Sequence, residues 1–327
     1  MKNRFLTLIL FLFACIPLFS AELEDYFKKM SDKSGNHQMR NIDFIYMINL
    51  DERPEKFHVT VEKLAPFGIY PCRFSAVNGW RLSLEALNDM GVKYGPWMSS
   101  GGWGTYYPLD ENGQPKHELI ETFGRNYFCH CMSRGAIGIC LSHLSVLQDA
   151  YDAGYETIWV MEDDVEVMRD PRVLSDLIDE LDDLVGREGW DVLFTDRDTK
   201  NNNGQYVACS AYAWRPNFVP ANPLKCLEKE NISPDFRKVG ARFGAYSMIV
   251  RRSGIEKILD FFKCFQLFLP YDIDFTLPFD MRFYTVLDDV VGPQINAFSD
   301  NGAPNYRKKF VGEEEEEEDD EDDEEKN

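Results

Sequence analysis

The chain has 327 residues and a formal net charge of −21, with 44% hydrophobic, 14% aromatic and 28% charged residues, enough apolar material for at least one large core. Residues 313–325 hold 13 of the 56 acids; without that run and Lys326, 34 bases face 43 acids, so the body is only mildly acidic. A body with no basic excess excludes the electrostatic footprint of a nucleic-acid binder.

Lys2 and Arg4 lead into the apolar run "FLTLILFLFACIPLF", which ends near Ser20 and Ala21. A charged start, an apolar stretch and small residues at a cleavage position read as a signal peptide over residues 1–21. That reading sends the chain to the secretory pathway or out of the cell, on a lumenal or periplasmic side. Left uncleaved, residues 5–19 would hold it at a membrane, and "LFAC" around Cys15 loosely resembles a lipidation site. The other seven cysteines are odd in number and irregular in spacing, which is no disulfide framework. "CHC" at 129–131 lacks a second pair at zinc-finger spacing and reads as ordinary packing.

Residues 22–40 form a polar lead-in to a domain spanning 41–311. "IDFIYMINL" (42–50) reads as a buried strand; Pro54 then opens a helix and Gly68 lies past its end. "IYPCRFSAVNGW" gives a second strand with a turn at Asn78-Gly79. Strand, helix, strand predicts an α/β domain with parallel pairing. Residues 92–132 are rich in Gly, Pro and aromatics without period, and read as a long acceptor-side loop region over a site. Helical spacing predicts a helix over 135–153, stopped by Gly154.

"ETIWVMEDDVEV" (156–167) then runs a buried strand into three consecutive carboxylates. Burying like charges unpaired costs several kcal/mol, so a cation belongs beside them. Alternation along a strand puts Glu162 and Asp164 on one side and Asp163 on the other. Hard carboxylate oxygens at the carboxyl end of an α/β strand suit Mg²⁺ or Mn²⁺ carrying substrate phosphates. Further along, Asp170-Pro171 starts a helix and "WDVLF" (190–194) is a strand ending at "TDRD". "GAYSMIV" (244–250) is a late strand before a helix whose Ser253 and Glu256 have capping-box spacing. "LPYDIDF" (269–275) carries another acidic pair. The run of like charge in residues 312–327 predicts a disordered acidic tail.

The ordered set Asn49, Leu50 and Arg53; Asn78 and Gly79; Gly135, Ile137 and Gly138 with Ser142 and His143; and Glu162, Asp163 and Asp164 resembles glycosyltransferase family 25. That family includes lipopolysaccharide glycosyltransferases and procollagen galactosyltransferases, and the resemblance covers about 42–300. It implies the A-type glycosyltransferase fold, a Rossmann-like mixed sheet flanked by helices. It further implies inverting transfer of a hexose, commonly galactose, from a UDP-sugar to a glycan, lipopolysaccharide or hydroxylated-protein acceptor, assisted by Mn²⁺ or Mg²⁺.

By the same resemblance Asp164 is the direct metal ligand, with Asp163 beside it, while Asp163 or Glu162 serves the ribose or the outer shell of the metal. Asn49, Leu50, Asn78 and Gly79 fall to the donor site. Arg53 contacts the uracil or a phosphate, or else pairs at the surface with Glu55 or Asp51; His143 serves the donor or is a core histidine. Asp272 matches the late P-x-D position for the catalytic base, with Asp274 and Asp196 as rivals. All five histidines lie at or before 143, so the late histidine that ligates metal in many A-type transferases is missing. Together with the export signal and the acidic tail, that absence keeps open an alternative: a catalytically silent secreted carbohydrate-binding or interaction protein retaining the fold.

Overall fold

Residues 22–110, 113–199, 205–206 and 214–294 are described in the structure, a computed structural model. The export segment with Cys15, Cys209 and the acidic tail lie outside the described residues.

The first strand, β1 (Phe44–Asn49), is buried at every position. Its alternation explains why the segment carries no polar face: Phe44, Tyr46 and Ile48 enter one core, Ile45 and Met47 another. A strand covered on both sides reads as a continuous apolar run. Helix α1 (Pro54–Leu64) has its proline in the first turn, where no N–H is missed. Gly68 (φ 73°) ends the 3-10 turn after it and β2 (Cys72–Ser75) follows. Next come α2 (Leu84–Met90) and then β3 (Val92–Lys93), β4 (Trp103–Tyr106), β5 (Lys116–Leu119) and β6 (Asn126–Cys129).

Helix α3 (Arg134–Ala153) is capped by the Ser133 hydroxyl, which accepts from the Ala136 N–H, and is closed by Gly154 at φ 73°. It leads into β7 (Thr157–Glu162), then β8 (Val165–Val167), α4 (Leu174–Val185) and β9 (Val192–Phe194). The chain continues through β10 (Lys229–Asn231), β11 (Phe236–Val239), β12 (Ser247–Arg251), α5 (Arg252–Phe265), the single turn α6 (Tyr271–Asp274), β13 (Phe283–Val286) and β14 (Val291–Pro293).

Among the described residues the main sheet has the order β10-β11-β13-β9-β12-β7-β1-β2. β2, β1 and β7 run parallel; β12 is antiparallel to both β7 and β9. The expected α/β layering is present as a mixed sheet, with α3 and α5 packed on one face and α4 on the other. This topology brings the carboxyl ends of β1, β2, β7 and β9 to the edge where β12 begins. Residues at those ends become neighbours although they are far apart in sequence.

Three segments differ from their sequence reading. Residues 92–132 are not an open loop: β3 to β6 form a second sheet, in the order β3-β6-β4-β5, whose two- to four-residue strands give no readable period. The lead-in is docked through Leu23, Tyr26, Phe27 and Met30, and the Lys28 ammonium donates to Ser75 Oγ and the Ala76 carbonyl. The capping box at Ser253 does not form, because that hydroxyl donates to the Asp191 carboxylate instead (2.6 Å). No helix of the described residues is long and apolar enough to cross a membrane.

Candidate functional site

At the carboxyl edge, β7 ends in Glu162 and the chain turns through Asp163 and Asp164 into β8. Two concave lobes meet here, sharing Ile139, Glu162 and Asp164. The first, about 110 Å³, runs from Leu50 and Lys56 past Asn78, Gly79 and Trp80 to Gly135 and His143 on α3. The second, about 320 Å³, is walled by Gly244, Tyr246, Tyr271, Asp272 and Gln294. The size of this second lobe lies within the roughly 300–1,000 Å³ of small-molecule sites.

The glycines of this edge act through space-filling. A Cβ on Gly79 would lie 1.8 Å from the Arg134 carbonyl oxygen, and one on Gly138 would lie 2.5 Å from that of Val77. Backbone stands in both places, so neither clash can be relieved by a rotamer change. The Asn78–Trp80 turn therefore seats directly on the first turns of α3, and the Val77 N–H donates to Ser142 Oγ (2.8 Å). This contact forms one wall of the first lobe.

The carboxylates have three distinct surroundings. Asp163 turns away from the second lobe; its Oδ2 accepts from the Asn49 amide (2.6 Å) and its carbonyl from the Thr60 hydroxyl (2.7 Å). The Asn49 amide also donates to the Arg53 carbonyl, while its oxygen accepts from Arg73 Nε (2.6 Å). Asn49 is thus a bracket holding Asp163. Glu162, the last residue of β7, and Asp164, in the turn after it, line both lobes, whereas Asp163 lines only the first. Desolvation, then the charges of Asp164 and Asp272, push the Glu162 carboxyl up to about 8. Burial pushes Asp163 up to about 7 against the Asn49 hydrogen bond. Lys56 lowers both, a cation in α1 that sequence reading missed although it follows Arg53 by three residues.

His143 is 1% exposed and stacks on Tyr271, ring centroids 4.3 Å apart. Burial pushes its imidazole down to about 3. Its Nε2 lies 3.1 Å from Glu162 Oε1. Near neutrality both are uncharged, so the contact is a hydrogen bond between neutral groups. His143 therefore braces Glu162 from within α3.

The three late aspartates separate cleanly. Asp272 reaches the second lobe, its Oδ2 accepting from the Gly244 N–H (2.9 Å), and burial raises its carboxyl above the usual range. Asp274 lies beneath, fully buried in an ion pair with Arg215 (2.6 Å), and its Oδ2 accepts from the Leu269 N–H (2.9 Å). Asp196 is buried against the Arg242 guanidinium (2.8 Å). Leu50 and Asn78 line the first lobe. Arg53 lies at the start of α1, where its Nε donates to Glu55 (2.6 Å). The edge thus gathers Glu162, Asp164 and Asp272 around one cleft, and leaves Asp196, Asp274 and Asn49 as buried structural partners. Tyr246 and Tyr271, also missed, come from elements whose sequence gives no sign of meeting β7.

Among the described residues no cluster of three or more His, Cys, Asp or Glu side chains is close enough to hold a metal unaided. The donor set at the cleft suits a hard cation that keeps waters and takes further oxygens from a bound phosphate.

Titration of Glu162 gives a stability test on the unliganded protein. The native state keeps a proton that the unfolded chain releases above its ordinary value of 4.5, so this group's contribution is intact below 4.5 and lost as pH rises through about 8. Glu162→Gln should leave the urea midpoint nearly unchanged at about pH 4.5 and raise it relative to the native protein at about pH 8. Equal midpoint differences at both pH values would contradict the raised value.

Residues 42–274 match the family described as glycosyltransferase family 25 (LPS biosynthesis protein). Similar proteins include a glycosyltransferase 25 family member of Aedes aegypti, 28% identical over 170 residues, 52% of this chain and 23% of that protein. A family member of Drosophila melanogaster is 28% identical over 143 residues, 44% of this chain and 19% of its own length. The chain thus aligns with about a fifth to a quarter of the length of these relatives. With more than two thirds of its own length matched, over a segment that carries the first lobe and all of the second but Pro293 and Gln294, the chain belongs to glycosyltransferase family 25.

Proposed function

We propose that this chain is a glycosyltransferase that moves a hexose, galactose by the family resemblance, from a UDP-sugar to an acceptor hydroxyl with inversion. The acceptor class is a glycan, lipopolysaccharide or hydroxylated protein. The observation that carries the reading is the convergence of Glu162, Asp164 and Asp272 on one cleft beside the lobe walled by Asn78, Gly79 and α3. The lobe of Leu50, Lys56 and Asn78–Trp80 takes the nucleoside, and the acidic lobe takes the sugar and the acceptor.

Asp164 and Glu162 are the residues that would hold Mn²⁺ or Mg²⁺ when the donor is bound. When bound, that ion supplies Lewis-acid stabilisation of the charge on the leaving diphosphate. Asp163, fixed by Asn49, and Lys56 set the field around these ligands. Asp272 is the base. It accepts the acceptor hydroxyl's proton as that oxygen bonds to the anomeric carbon, and the sugar–phosphate bond breaks with its electron pair leaving on UDP. The Gly244 N–H keeps one Asp272 oxygen in place, which leaves the other for the hydroxyl. Attack from the face opposite UDP inverts the anomeric centre. The segment 1–21 directs this activity to an exported or lumenal location.

Incubating the full chain with a panel of UDP-sugars, Mn²⁺ and simple glycoside acceptors tests the reading. UDP should be released with at least one donor, and release should fall to background on chelation. Absence of both UDP release and donor binding across the panel would favour the silent carbohydrate-binding alternative.

A further inference from the structure

β6 ends at Cys129, and the chain turns through His130 and Cys131 before α3 begins. The turn is closed by the Met132 N–H donating to the Cys129 carbonyl (3.1 Å), and anchored by the Cys129 N–H on the Phe268 carbonyl (2.9 Å). This folding-back brings the two thiols together: their sulfurs are 3.0 Å apart. A disulfide needs about 2.05 Å between sulfurs, so closure requires about 1 Å of movement. Cys129 is buried and Cys131 exposed. Of the other described cysteines, Cys72 faces Met30 and the Asp32 carbonyl, Cys140 that of Leu269 and Cys226 that of Pro223, while Cys264 is exposed on α5. The pair also sits at a groove of Gly101, Gly102, Trp103, Trp214 and Leu269. That groove adjoins the acidic lobe, since Leu269 precedes Pro270 and Asp272.

We propose that Cys129 and Cys131 are a redox-active dithiol that a small-molecule disulfide oxidises to a reversible Cys129–Cys131 bridge beside the substrate cleft.

The asymmetry of the pair supplies the order of events. The contact between the two sulfurs draws the Cys131 thiol down to about 7, while the same contact and burial push Cys129 well up. Thiolate character and exposure make Cys131 the attacking sulfur. Its thiolate attacks one sulfur of the oxidant, forming a mixed disulfide and expelling one small thiolate. Cys129 then loses its proton and attacks the Cys131 sulfur, expelling the second. Two S–H bonds are lost, one protein S–S bond forms, and the oxidant is reduced to two thiols. A bridge with the Cys131 sulfur exposed is readily reversed by a dithiol reductant. The bridge would tighten the turn that starts α3, the helix whose Gly135, Ile139 and His143 line the cleft. The proposal stands or falls independently of the transferase reading.

The test treats the full chain with oxidised glutathione, blocks free thiols with N-ethylmaleimide and digests with trypsin. Cleavage after Arg125 and Arg134 puts both cysteines in one peptide, "NYFCHCMSR". Oxidation should lower its doubly labelled form at least about tenfold, replacing it with an unlabelled form lighter by two hydrogens than the dithiol. Dithiothreitol before blocking should restore both labels. Cys131→Ser, which changes only the exposed partner, should abolish the two-hydrogen loss. Retention of both labels after oxidation, glutathione stalled on Cys131, or a cross-link from this peptide to another cysteine peptide would each overturn the proposal.

Discussion

Asp164→Ala should lower kcat/KM for UDP release by about 10³-fold or more, with little change in the unfolding midpoint. The magnitude follows from what the position offers. Asp164 lines both lobes and leads from β7 into the turn that meets β14, where its carbonyl accepts from the Gln294 N–H (2.9 Å). That backbone contact survives the substitution, so the fold keeps its anchor. Stabilisation of a developing anionic leaving group is worth several kcal/mol, and about 1.4 kcal/mol is tenfold in rate. Removing Asp164 also lifts one of the charges that raise Glu162, so the Glu162 carboxyl should ionise at lower pH in the variant. Steady-state kinetics beside urea unfolding checks this. A variant with kcat/KM within about tenfold of the native protein would remove Asp164 from the chemistry.

The three late aspartates should divide into one catalytic and two structural phenotypes. Asp272→Asn should lower kcat by about 10²- to 10⁴-fold, the range for losing a positioned general base. Its unfolding midpoint should stay near the native one, because the amide oxygen still accepts from the Gly244 N–H. Asp274→Asn should instead cost about 3–5 kcal/mol of stability by leaving the Arg215 guanidinium buried without its counter-charge. Both partners are 0% exposed, so water cannot take the place of the lost carboxylate. Asp196→Asn should act in the same direction through Arg242, which is 2% exposed. The measurement is kcat against denaturation midpoint for all three. Full turnover in Asp272→Asn, or an unperturbed fold with abolished turnover in Asp274→Asn, would reverse the assignment.

Much of this architecture is legible in the chain because it depends on local pattern. β1 and β7 announce themselves as unbroken apolar runs covered on both faces, and α3 by its periodicity and the Gly154 stop. The grouping of Glu162 with Asp164 at the second lobe follows the order expected from a two-residue repeat, although Asp163 and Asp164 belong to the turn after β7. What sequence withholds is decided by distance in space. "PYDIDF" offers two equivalent aspartates, and only the turn at 271–274 sends Asp272 to the cleft and Asp274 down to Arg215. Asn49 belongs to the motif yet acts through Asp163, a role visible only once β1 and β7 lie side by side. Lys56 answers the demand for a cation near the carboxylates, but its place follows from the packing of α1 beside β8. The second sheet escapes notice since its strands are too short for a period, and the Ser253 hydroxyl is diverted by Asp191, which arrives from β9's entry. The CHC turn reads as packing until the turn geometry places one sulfur against the other.

Uptake of Mn²⁺ by the full chain, followed by loss of the free-ion electron paramagnetic resonance signal with and without UDP, reads out whether Asp164 helps to hold the ion. UDP and native protein together should remove the signal near one ion per chain, either alone should do so weakly, and Asp164→Ala should restore the free ion. Equal uptake by native protein and Asp164→Ala in the presence of UDP would contradict that role.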